Sequence, residues 1–324
     1  MLFRSCCNFY GPVSTQLEYD SADYAIASLA KELGKKSDYA RFASSAQDWE
    51  NVFNPVTGYL QAKQADGEFA AGFTPGTSNG FVEGTSAQYT PMVPFNLQGL
   101  IAARGGAQAY SSHLDGLLSN ITHPTSVNAN LSNEPSLEIP WEYDYLGQPW
   151  KTQEAVRQAQ QNLYFNAPVG SFGNDDLGAM SSWYVWSELG MYPETPGTAD
   201  LALGSPLFTQ IVLTLPSGNT LTVNGNGAAD NAPYIQSATW NGAAWNNAYV
   251  PSGAITSGGT LNFTLGTAAN TSWATAASAA PPSYAGNPTY TDIGISADAS
   301  SSAADYDGVG YSYSASALST AIWP

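Results

Sequence analysis

Apolar residues recur at three- and four-residue intervals as far as Pro193, and at two-residue intervals after Pro196. The first period is that of helices packed on one face, the second that of strands. Residues 14–33 predict a helix, with Leu17, Tyr24, Ile26, Leu29 and Leu33 as its apolar stripe and Gly34 as its stop. Residues 37–53 predict a second, with Ser37 as N-cap, Tyr39, Phe42, Ala46, Trp49 and Phe53 on its face, and Asn54-Pro55 ending it. Residues 66–82, rich in Gly, Phe and Thr, read as a long loop. A helix is expected over 86–104, kinked or delayed by Pro91 and Pro94. Shorter helices follow over 107–119, 151–164 and 179–190, with a polar loop through 120–140. About six helices joined by loops of varied length resemble an all-α toroid read halfway round.

Beyond Pro196 the pattern changes. Residues 207–223 alternate around Ser217-Gly218-Asn219, a hairpin signal, and 233–241 and 259–265 add strands. The fold class expected is therefore multidomain α and β: a partial (α/α)6 toroid followed by a β-sandwich-type segment. The expected division is a non-matching stretch 1–13, a helical half-barrel 14–200, a β-rich segment 201–273, a linker 274–290 and the truncated start of an accessory β module over 291–324. The Ala, Pro and Ser content of 274–290 carries the linker reading.

Composition narrows the function. Nine Lys and Arg face 26 Asp and Glu, for a net charge of -17. A surface of that sign does not neutralise phosphates, so nucleic acid is excluded as a partner. No apolar run approaches the roughly 20 residues of a membrane span, so no membrane partner is expected. Cys6 and Cys7 are adjacent and cannot staple a core. The start, MLFRSCCNFYG, has no signal-peptide core. His113 and His123 belong to no motif and read as surface or capping residues.

Three acidic segments stand out: Phe81 to Tyr89 with Glu83, Ser132 to Ser136 with Glu134 followed by Tyr143 to Gln153 with Asp144, and Gly173 to Gly178 with Asn174, Asp175 and Asp176. Each sets a carboxylate in a loop or at a helix start, among glycines and aromatic rings. Taken singly, each is accounted for as an anion stabilising a helix N-terminus. Together, on connections that a toroid gathers at one end, they have the make-up of a sugar-cleaving site. Rings stack on sugar faces and paired carboxylates supply acid and base.

The strings EGTSAQYT, NEPS, GQPWKTQ, GNDD-x-G and GSPLF occur here in one order. Over residues 14–270 the chain closely resembles glycoside hydrolase family 92, the calcium-dependent inverting exo-α-mannosidases. The resemblance implies that Glu83 is the general acid and Asp176 the general base. Asn174 stands where some relatives carry Asp, and Asp175 is the second candidate for the base. It further implies Ca2+ near Asn133 and Glu134, and substrate contacts from Gln88, Trp150 and Lys151. Trp150 reads equally as a pocket or a packing residue, while Trp183 and Trp186, at helical spacing, read as core. The implied partner is a mannose-containing glycan, in a secreted or periplasmic setting.

The sequence also departs from the family. Leu137-Glu138 follows NEPS where many relatives have two histidines, and the preceding loop lacks the His-Glu pair of the α-1,2-type enzymes. An α-1,2 preference is thus not supported, and other linkages stay open. The family's N-terminal β-sandwich and the first half of its barrel have no counterpart here. The resemblance therefore implies a C-terminal fragment, with uncovered helix faces costing about 25 cal/mol per Å², low stability and little activity alone. Two other readings remain: an (α/α)-toroid glycosidase without calcium dependence, and a non-catalytic carbohydrate-binding protein.

Overall fold

The computed structural model describes residues 11–284. The accessory module expected over 291–324 and both cysteines lie outside the described residues. No helix among those described is long and apolar enough to cross a membrane.

Helix α1 (Pro12–Glu32) starts at a proline in its first turn, where the missing N–H costs nothing. It buries Val13, Leu17, Tyr24, Ala27 and Ala30. Ile26, Leu29 and Leu33, expected on the same stripe, are 42, 59 and 63% exposed. The helix thus has two apolar lines, and the described residues cover one of them. α2 (Lys36–Ser45) packs against α1. Its N-cap is Lys35, with no side-chain bond, so Ser37 is not the cap. The helix expected to Phe53 stops eight residues short. A 3-10 turn (Asp48–Val52) replaces its end and buries Trp49, and β1 (Phe53–Asn54) then pairs with β2 (Tyr59–Leu60).

The segment 86–104 breaks at its prolines. α3 (Ser86–Tyr89) is one turn, a 3-10 turn (Pro94–Asn96) follows, and α4 (Leu97–Ala103) begins where the Asn96 side chain accepts the Gly99 amide. α5 (Ala107–Leu117) runs as expected. The loop expected to 140 instead holds 3-10 turns at Glu134–Ser136 and Ile139–Leu146, the second almost wholly buried. It ends at Gly147 with φ +65°, where a Cβ would meet the Thr275 carbonyl at 2.6 Å, so glycine is required twice over. α6 (Pro149–Leu163) and α7 (Ala179–Leu189) close the helical part, and Gly190 caps α7 in the left-handed region.

The β part has two sheets around one core. β3 (Met191–Tyr192), β4 (Leu201–Leu203) and a later strand form the small sheet. β5 (Gln210–Thr214) and β6 (Thr220–Asn226) make the expected hairpin. β7 (Tyr234–Trp240) and β8 (Ala243–Ala244) follow, and β9 (Tyr249–Val250) is the third strand of the small sheet. After a short α8 (Ser252–Ser257), β10 (Gly259–Gly266) enters between β6 and β7, parallel to β6 and antiparallel to β7. Leu203 and Val250 of one sheet and Val223, Ile235, Leu261 and Phe263 of the other share a core with Trp273.

The described part of the expected linker is packed. The Tyr284 amide donates to Phe95 O at 2.6 Å and its hydroxyl to Asp200 at 2.9 Å, while its ring lies 5.2 Å from that of Tyr24.

Candidate active site

The first acidic segment is held by the turn after it. Gln88 reaches back to accept the Thr85 amide at 3.1 Å, as in a capping box, and donates to Asn128 O at 2.9 Å. The Thr85 hydroxyl donates to Ser126 O, and that of Ser86 to Leu60 O. Gln88, expected at the substrate, is thus buried and spent on backbone groups. Glu83 stands exposed just before this turn, and the Tyr89 hydroxyl donates to its Oε1 at 3.3 Å.

The second segment is tied to the first and touches the third. Asn133 Nδ2 donates to Glu83 O at 3.0 Å. Gly173, at φ +80°, lies so close to Ser132 that a Cβ would fall 2.7 Å from that of the serine. Burial first, then the charges of Asp176 and Glu83, raise the Glu134 carboxyl above the usual range. So Glu83, Glu134 and Asp176, dispersed over more than ninety residues, come together, as helix connections at one end of a toroid would bring them.

The third segment is conformationally unusual. Asp175, Asp176 and Leu177 have φ of +66°, +35° and +53° in succession. A non-glycine residue costs about 1–2 kcal/mol in that region, and such runs concentrate where the surroundings impose them. Asp175 Oδ1 accepts from the Ser181 amide at 2.8 Å and hydroxyl at 2.5 Å, which holds its carboxyl below the usual range. Asp175 is therefore a cap on the first turn of α7. Asn174 is exposed in the approach to it.

A cleft of about 340 Å³ adjoins Glu134. Glu18 and Ser21 of α1, Met92, Leu137 and Glu138 line it, with Ala179, Ser182, Trp183 and Trp186 of α7 and Tyr192. Its size falls in the range of small-molecule sites, about 300–1,000 Å³. Trp183 is buried and donates its indole N–H to Leu137 O at 2.9 Å, as a core residue should. Trp186 is partly buried and borders the cleft as well. Burial pushes the Glu138 carboxyl up to about 7, with Glu134 and Glu18 adding to the effect. Glu18 is raised by burial, then by Glu134 and Glu83. Sequence reasoning missed Glu18 and Glu138 as site residues. The single cue was Glu138 itself, a charge directly after NEPS-Leu.

Lys151 is placed elsewhere. Its ammonium bonds both Asp115 oxygens at 2.7 and 2.8 Å and the Ser111 hydroxyl at 3.1 Å, above the Tyr143 ring. Those partners are protein groups that use its three donors. Trp150 is half-buried in the first turn of α6. His113 is no surface residue: it packs against the rings of Tyr59 and Tyr110, and burial lowers its pKa to about 3.

A helical array whose loops bring carboxylates to one aromatic-lined cleft has the composition of a carbohydrate-processing site. The chain belongs to glycosyl hydrolase family 92: the family's catalytic domain profile matches residues 4–267. It is 28% identical over 300 residues to an uncharacterized secreted glycosidase of Arthroderma benhamiae, covering 84% of this chain and 37% of that protein. A family 92 α-mannosidase of Bacteroides thetaiotaomicron superposes with a TM-score of 0.80 at 31% identity, over 84% of this chain and 36% of that one. An inverting mannosidase of the same family and organism gives 0.78 at 30% identity, over 84% and 40%. The chain thus spans well under half the length of these relatives.

Proposed function

We propose that this chain supplies the acid–base part of a site that hydrolyses terminal α-linked mannose from glycans with inversion of configuration. The observation that carries the reading is the meeting of the three acidic segments beside the aromatic cleft, Asn133 Nδ2 on Glu83 O and Gly173 against Ser132, in a chain of family 92. Glu83 is the general acid: it gives its proton to the glycosidic oxygen as the C1–O bond breaks. Tyr89 donates to Oε1 of Glu83 and orients the carboxyl. Asp176 is the general base: it takes a proton from a water whose oxygen attacks the anomeric carbon from the opposite face. The reading requires about 6.5–9.5 Å between the two carboxyls, room for that water. Asp175, whose Oδ1 already accepts two hydrogen bonds from Ser181, is the second candidate for that role.

Calcium is the proposed cofactor, with Asn133 and Glu134 among its ligands. The donor chemistry fits: both offer oxygen, which hard cations prefer. Burial first, then like charges (Asp176 and Glu83 on Glu134, Glu134 and Glu83 on Glu18), raise the two carboxyls, and a bound cation would relieve that repulsion. Among the described residues no group of three or more Asp, Glu, His or Cys side chains forms a metal site. Carbonyls, water and sugar hydroxyls would thus complete the shell. When bound, such a cation supplies charge to hold sugar hydroxyls and polarise the ring substituents.

The same reading makes the helical part half of an (α/α)6 toroid, the β part a sandwich-type segment, and an N-terminal β-sandwich domain the partner that completes the cleft. It also makes the protein secreted or periplasmic and a degrader of N-glycans. One relative's structure holds mannoimidazole and another relative is described as secreted, which supports the substrate class and the setting.

The test is hydrolysis of a panel of α-mannobiosides by the restored full-length protein, with and without EDTA, following the released anomer by NMR. Calcium-dependent release of β-mannose is expected. No turnover on any linkage with calcium present would overturn the reading.

A further inference from the structure

The strained turn at 175–177 and the first half of α7 separate two clefts, not one. Ala179, Ser182, Trp183 and Trp186 face the cleft with Glu134 and Glu138. Asp175, Ser181, Tyr184 and Val185 face a second, of about 670 Å³, whose other wall is the segment Tyr164 to Ser171. The adjacent carboxyls of Asp175 and Asp176 therefore belong to different surroundings: one borders the second cleft, the other acts on Glu134.

The second cleft is built from ring faces and short polar groups. Tyr164 stacks on Tyr184 at 4.5 Å and 20°, and on buried Trp183 at 5.9 Å and 9°. The three rings form a ladder running from the core to the cleft. The Tyr164 hydroxyl is anchored on Met180 O at 3.2 Å, which fixes the middle rung. The 165–170 loop is closed on itself, the Phe165 amide donating to Gly170 O at 2.8 Å, and it presents the Phe165 ring 59% exposed. Asn166, Ser171 and Ser181 supply hydrogen-bonding groups, Asp175 is the single charge, and no Lys or Arg lines the cleft. At about 670 Å³, with ring faces and a few polar groups on its walls, the cleft has the size and make-up of a small-molecule site. The pairing of ring faces with hydroxyl and amide groups is the complement of a neutral sugar, which has an apolar face of C–H groups and a rim of hydroxyls. A cationic ligand would meet one half-used carboxylate, and an anionic one would meet no positive charge.

We infer that this second cleft, walled by Tyr164, Phe165 and Tyr184, binds a neutral sugar residue of the glycan away from the bond being cleaved. The inference rests on the proposed glycosidase reading and deepens it, turning one sugar site into two on either side of α7. The first cleft holds the terminal residue, and the second anchors another residue or branch of the same glycan. Chains long enough to reach both bind tighter than those that reach one.

The test compares an aryl α-mannoside with a branched mannopentaose, using wild type, Phe165→Ala and Tyr184→Ala in the restored full-length protein. The variants should raise KM for the pentaose relative to the aryl mannoside by about five- to tenfold, the value of one lost ring contact. Phe165 is exposed, so its variant reports on the cleft if Tyr184→Ala is poorly folded. An unchanged ratio in Phe165→Ala, with wild type active on both, would overturn the inference and leave the glycosidase reading standing. If wild type cleaves neither, the glycosidase reading falls, and a titration of pentaose followed by NMR decides the cleft. Weaker binding by Phe165→Ala then supports it, and equal binding rejects it.

Discussion

Asp175 accepts two hydrogen bonds from Ser181, one from its amide and one from its hydroxyl. A carboxylate on the third residue of a helix satisfies an amide that the helix cannot. The neighbouring Asp176 has no such duty and is available to act on Glu134. Two adjacent residues of the same type are thus divided between architecture and the proposed chemistry.

Asp175→Ala should therefore lower Tm, and Asp175→Ser should restore part of the loss. The sign of the pH dependence follows from the depressed carboxyl. Its contribution is present above the unfolded value of 3.8 and is lost as pH falls through the lower folded one. Thermal melts should show wild type and Asp175→Ala well separated near neutrality and converging in strong acid.

Glu83→Gln and Asp176→Asn should each slow mannoside hydrolysis by about 10²–10⁴-fold, the usual worth of a positioned acid or base. Asp176→Asn also removes a charge that raises Glu134, so the Glu134 carboxyl should titrate lower, which carbon NMR detects. Loss of activity without that shift would place Asp176 away from Glu134.

Stability should fall as pH rises from mild acid to neutrality. Glu138 is raised from 4.5 to about 7 and Asp20 from 3.8 to about 8, both chiefly by burial. Glu142, Asp144 and Glu194 are buried and raised well above their ordinary values. For such groups the folded state holds protons that the unfolded state has released. The penalty therefore grows with pH from the unfolded value up to the folded one. Glu138→Gln should flatten the slope of Tm between about pH 4.5 and 7, while its Tm at lower pH stays near that of wild type. A wild-type Tm that climbs over this window would contradict the assignment.

Lys151→Met should cost about 1 kcal/mol or less, because the pair with Asp115 is partly exposed. The loss should shrink in high salt, where the wild-type attraction is screened. Urea denaturation at two ionic strengths measures both. A large rise in KM with unchanged stability would return Lys151 to the substrate.

The elements were legible wherever one physical cause acted alone. Periodicity placed α5, α6 and α7, and Ser217-Gly218-Asn219 placed the first hairpin. Where two causes competed, the pattern misled. Both Leu17 and Leu29 of α1 are apolar at helical spacing, yet the described fold covers only the first. The run Ile139–Leu146 has no helical period because it is a 3-10 turn buried on most sides. In the site, Glu83, Glu134 and Asp176 could be picked out as carboxylates in loops and at helix starts. The hydrogen bond from Asn133 to Glu83 O could not, since fifty residues separate them. Glu138 owes its raised carboxyl to desolvation, which the fold creates and the residue type does not reveal.

The central strand of the large sheet arrives late. Leu221 of β6 pairs with Gly259, 38 residues further along the chain. At about 5–20 residues per second, the ribosome needs roughly 2–8 s to deliver that partner. During that interval the β5–β6 hairpin has an open edge, with Val223 bare of its core neighbours. Residues 227–258 are thus a timing element as well as a connection, and lengthening them would prolong the nascent chain's exposure to wrong strand pairing.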